Sequence, residues 1–167
     1  MNHKSVICMF FLLTVIVTAF STYFIVEYIR CRDDFNLNVY NTELAISRQQ
    51  ELVFDAYKRG QYDITLHELD KFNLLLKDSP YIAALPEKQV VLYKLLIAVL
   101  EYKVKKQQLG MDSNELKIAY DKMLSNMSTY NAYFSSTSAK NNVVPDNIDK
   151  FIDIFMAKGN HMDSVTK

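Results

Sequence analysis

The sequence predicts an all-α protein: an N-terminal single-pass transmembrane helix followed by a compact bundle of about five helices. Three observations predict it. The run Val6 to Val26 carries no charge. Downstream, apolar residues recur every three or four positions, the spacing of one helix face. Each of the three Gly and three Pro falls at or near a helix end or start, and no stretch sustains the alternation of a half-buried strand. Punctuation and periodicity therefore point to the same elements.

The apolar run sets the frame. At about 1.5 Å per residue, roughly twenty residues cover the ~30 Å of a bilayer core. Its few polar side chains are Thr and Ser, whose hydroxyls bond back to a carbonyl in the preceding turn. Tyr23 and Tyr28 fall at headgroup depth, which suits amphipathic rings. Glu27, Arg30, Arg32, Asp33 and Asp34 close the stretch. A buried helix of a soluble protein would carry a polar stripe, and this run has none. A cleaved signal peptide is the rival reading, with Val17-Thr18-Ala19 as cut site. Cleavage there would leave the apolar Phe20 to Ile29 as a new N-terminus, so an uncleaved anchor is the preferred reading. His3, Lys4 and the amino group lie on one side, Arg30 and Arg32 on the other. So short a tail before a long apolar run reads as a signal anchor. The expectation is a single-pass protein of the cell (inner) membrane, with its C-terminal domain extracytoplasmic or periplasmic.

About 135 residues remain, enough for one domain with a core. Lys and Arg number 19, Asp and Glu 19, so the net charge is zero. That gives no electrostatic footprint for nucleic acid. Cys8 and Cys31 would sit about 35 Å apart on one helix, beyond disulfide reach. Cys8 reads as a small apolar side chain. Cys31 reads first as an inert interfacial thiol. A disulfide-linked homodimer, or acylation on a cytosolic face, stays open for it.

In chain order, residues 1–29 form the anchor and 30–41 a polar neck, either a continuation of the membrane helix or a hinge. Residues 42–159 form the helical domain and 160–167 a frayed tail. Thr42 is the expected N-cap of a helix to about Arg59, with Leu44, Ala45, Leu52, Phe54, Ala56 and Tyr57 as its stripe and Gly60 at C′. Asp63 is the expected cap of a helix ending near Lys77, with Leu66, Leu69, Phe72, Leu75 and Leu76 on one face; Pro80 turns the chain away. Tyr81 to Leu85 is a short apolar connector. Pro86 opens a third helix in its first turn. From Gln89 to Val104 apolar residues cover most of its circumference, so it should be central, with Gly110 closing it. Asp112 or Ser113 caps a fourth helix, with Leu116, Ala119, Tyr120, Met123, Met127, Tyr130 and Phe134 on one face. Ser135 to Asn142 is a polar linker. Pro145 and Asp146 open a fifth helix with the stripe Ile148, Phe151, Ile152 and Phe155, ended by Gly159.

The run from Ala56 to Phe72 resembles the turn between the two helices of a tetratricopeptide repeat, on Gly60, Tyr62 and Asp63. Thr65 and Phe72 stand where that family has small residues. A poorer echo runs from Gly110 to Leu124, about fifty residues on, against a family period of about thirty-four. The resemblance covers one repeat and implies TPR-like antiparallel hairpins that bind protein or peptide in a helical groove.

Catalytic signatures are missing from the sequence. His3, His67 and His161 have no ligand spacing, so no metal or cofactor is expected. Glu68 and Asp70 read as a solvated helix face rather than paired carboxylates. No phosphate-binding glycine loop, nucleophile elbow or HExxH occurs. Asn126-Met127-Ser128 is a glycosylation sequon, relevant only in a eukaryotic secretory pathway. Tyr57, Tyr62, Tyr120, Tyr130 and Tyr133 are the candidate partner-binding residues, since Tyr favours interfaces; at helical spacing they read equally as core edge. The leading expectation is a non-catalytic accessory, assembly or scaffold subunit that meets protein partners in or at the membrane. An immunity protein neutralising a toxin, or an extracytoplasmic sensor subunit, needs the same anatomy.

Overall fold

The computed structural model describes residues 3–109, 113–134 and 147–159, with side chains for 9–109, 113–133 and 147–153. Five α-helices follow one another: α1 (His3–Lys58), α2 (Tyr62–Asp78), α3 (Glu87–Gln108), α4 (Asn114–Phe134) and α5 (Ile148–Gly159). A 3-10 turn, Ile82–Ala84, lies in the apolar connector before α3. No strand occurs among the described residues. The chain divides into two units, Met1–Asn41 and Thr42–Lys167.

The first unit is helical throughout its described part and contains a stretch of α1 long and apolar enough to cross a membrane, with none of it buried. Thr14, Thr18 and Thr22 each donate a hydroxyl hydrogen bond to the carbonyl four residues back, at 2.8, 2.7 and 2.8 Å. Their polar groups are thereby satisfied within the helix, as a lipid setting requires. Tyr23 and Tyr28 are both exposed.

α1 does not restart at Thr42. The neck has no Gly or Pro to break it, and Asn36, Asn38 and Asn41 each cost under about 0.7 kcal/mol in a helix. Thr42 is therefore interior to α1 and buried, its hydroxyl 3.5 Å from that of Ser79. The buried face also differs from the expected one. Ile46, Val53, Phe54 and Ala56 are buried, whereas Leu44 and Leu52 are 37% and 54% exposed. Thr42, Ile46, Gln49, Val53 and Ala56 share one face at three-to-four spacing; Leu44 lies on the opposite side of the helix and Leu52 beyond the edge of that face. Gln49 fixes this phase by donating its amide to the Glu68 carbonyl at 2.9 Å and to its carboxylate at 2.7 Å. The pairs Gln49 with Glu68 and Thr42 with Ser79 show that α2 runs antiparallel to the end of α1.

Gly60 sits at φ +69° after α1. The Gln61 N–H bonds to the Ala56 carbonyl at 3.0 Å and the Gly60 N–H to that of Tyr57 at 3.0 Å, a Schellman closure. A Cβ added at Gly60 meets nothing within 4 Å, so only backbone strain opposes it. Gly60→Ala should therefore destabilise by about 1–2 kcal/mol, and Gly60→Asn by less, in denaturant titrations of the detergent-solubilised chain. Equal stability of Gly60→Ala and wild type would contradict a left-handed requirement here.

α2 starts one residue before Asp63, after Gln61, which makes no side-chain cap. Asp63 instead lies in the first turn, where its charge suits the helix dipole, and accepts a hydrogen bond from Gln108 Nε2 at 2.7 Å. The expected small-residue positions are filled to the limit: Thr65 and Phe72 are both fully buried. Thr65 keeps its hydroxyl satisfied by donating to the Gln61 carbonyl at 2.9 Å. Leu69 and Leu76 complete the face. Pro86 occupies the cap of α3 rather than its first turn.

α3 is central, as its hydrophobicity predicts. Leu95, Leu96, Ile97, Ala98, Val99 and Leu100 are consecutive and all buried, so that segment has no solvent face. The backbones of α2, α4 and α5 each pack most closely on α3. Ser113 precedes α4 and its carbonyl accepts the Lys117 N–H at 3.2 Å. α4 buries Leu116, Ala119, Met123 and Met127, and α5 buries Ile148, Phe151 and Ile152. Gly110, Asp112, the linker at 135–142, Pro145, Asp146 and the tail at 160–167 lie outside the described residues.

Candidate protein-interaction surface

The five tyrosines divide among three places. Tyr57, in the last turn of α1, and Tyr62, in the first turn of α2, flank the Gly60 turn and are both half-buried. Tyr120 of α4 is 36% exposed and packs its ring on Tyr102 of α3, centroids 5.4 Å apart. The Lys106 ammonium lies over the other ring of that pair, 5.9 Å from the Tyr102 centroid. Tyr130 is half-buried and meets Phe151 of α5 edge-to-face, at 6.2 Å and 76°. Tyr133 is 39% exposed near the end of α4. The structure thus brings Tyr57 close to Tyr62 and carries Tyr120 and Tyr133 elsewhere on the bundle.

Tyr57 and Tyr130 border the seat of α5. Burial pushes the Tyr57 phenol up; the Lys103 ammonium pulls it down, and the Asp149 and Asp153 carboxylates of α5 push it up again, with Tyr62 between them in effect. Burial likewise raises Tyr130. Lys103 of α3 forms an ion pair with Asp149 of α5. The helix therefore enters with an apolar stripe toward the bundle and a carboxylate toward an ammonium. Sequence reading identified the stripe. It missed Lys103 and its pairing with Asp149, because the two lie on separate helices and share no local spacing.

A second polar cluster lies in a cleft of about 120 Å³ between α2, α3 and α4, lined by Leu69, Asp70, Asn73, Glu101, Lys105 and Lys122 among others. Glu101 accepts from Lys105 at 2.9 Å and from Lys122 at 2.7 Å. Ligand pockets run to about 300–1,000 Å³, so this cleft is a seam between helices closed by an ion triad. Burial pushes the Glu101 carboxyl up, but hydrogen bonds from Lys122 and Lys105 outweigh it and hold the group below its ordinary value. Glu68 is not the freely solvated carboxylate expected. Hydrogen bonds from Lys71 and Gln49 hold it below its ordinary value, while Asp70 is exposed.

Both carboxyls bind protons less readily folded than unfolded. Their stabilisation is complete above the unfolded carboxylate pKa and is lost as pH falls through the lowered folded values. The melting temperature should fall as pH drops below about 4.5, the ordinary value for both groups. Glu101→Gln should flatten that slope and cost about 1–2 kcal/mol at neutral pH, a few degrees. An undiminished acid slope in the variant would contradict the triad's role.

The sequon is unsuited to glycosylation. Asn126 lies within α4, and its amide donates to the Lys122 carbonyl at 2.8 Å. His67 is exposed, as expected. Cys31 is a free, exposed thiol. No cluster of His, Cys, Asp or Glu able to hold a metal occurs among the described residues.

The described residues define an all-α protein with one candidate membrane-spanning helix and a helical bundle. Comparison with protein-family models, curated proteins and solved structures finds no match.

Proposed function

We propose that this chain is a single-pass membrane protein whose helical bundle is a non-catalytic protein-interaction module, an accessory, assembly or scaffold subunit of a membrane-associated complex. One observation carries the reading. The bundle seats an amphipathic helix, α5, against a tyrosine-bordered surface with a complementary charge pair. Apolar anchors at i, i+3 and i+4 laid onto a groove are a recurring mode of helix recognition. The exposed apolar stretch of α1 supports a tether through Val6 to Val26. In this reading the signal-anchor orientation holds the bundle on the extracytoplasmic side.

Photo-crosslinking in membranes tests it. A benzophenone side chain placed singly at Tyr62, Tyr120 and Tyr133 of the full chain should give a discrete adduct that depends on position. No adduct from any of the three would overturn the module reading. A reporter active only outside the cytoplasm, fused after Lys167, should be active; an inactive fusion would place the bundle in the cytosol.

A further inference from the structure

We draw no further inference here: the strongest candidate, the open groove along the apolar part of α1 lined by Thr14, Thr18, Ala19 and Thr22 between Phe11 and Tyr23, is a stripe of small residues whose threonine hydroxyls already bond to carbonyls of their own helix, and nothing in the structure shows what covers it.

Discussion

Phe72→Ala is expected to destabilise the bundle by about 3–5 kcal/mol, the cost of removing a large buried aromatic side chain. Phe72 is fully buried and its ring lies 5.7 Å from that of Tyr93 across the α2–α3 interface. The loss has two parts. The transfer free energy of the ring disappears, and a cavity opens that the neighbours fill only in part, because α3 is already close-packed there. Tyr93 is itself half-buried in this seam. Leu74→Ala is the control: Leu74 lies on the same helix at 54% exposure and should change stability by under about 0.5 kcal/mol. Denaturant unfolding of the full chain in detergent, followed by helical circular dichroism, reads both. Equal midpoints for the two variants would refute the assigned face of α2.

The second large effect concerns the anchor. Leu13→Arg together with Val17→Arg puts two guanidinium groups near the middle of the apolar run. Each costs about 2.5–3.5 kcal/mol on an insertion scale, so the pair costs about 5–7 kcal/mol. Neither has a partner in the helix, since Leu13 and Val17 are both exposed in a stretch with no burial. The double variant should leave the membrane pellet under alkaline extraction, while wild type should stay. Leu13→Ala with Val17→Ala should also stay, because the remaining side chains keep the run apolar. Retention of the double Arg variant in the pellet would contradict a spanning role for this segment.

Much of the fold was legible because the chain is sparsely and consistently punctuated. Gly60 marked the end of α1 by supplying a left-handed residue, and the Schellman bonds follow from it. Pro86 marked the start of α3 to within one residue, and the apolar face of α4 ran to Phe134, where the helix ends. The central place of α3 followed from an apolar run too wide for one face. Three things were not legible. Nothing local distinguishes a helix that continues through residues 30–41 from one that restarts, so Thr42 was read as a cap and is a buried interior residue. The rotation of α1 about its own axis depends on Gln49 reaching Glu68, a contact set by packing rather than by spacing, so the exposure of Leu44 and Leu52 is not legible in the sequence. The polar joints between helices were only half visible. Glu101 and Lys105 advertise an i,i+4 pair, but the reach of Lys122 from α4 appears only when the helices are assembled. Of the candidate site, the tyrosines were visible and their partition was not.

The six consecutive buried residues of α3 bear on how the molecule opens. Amide protons exchange with solvent water only when a segment opens, and a helix with no exposed side has no partial opening of its own. Leu95 to Leu100 should therefore be the slowest-exchanging backbone in the second unit, released only by global unfolding. α5, which among the described residues buries Ile148, Phe151 and Ile152 and forms the Asp149–Lys103 ion pair, should exchange faster. The bundle thus has an inner spine and an outer stave, and its protection against deuterium should descend in that order.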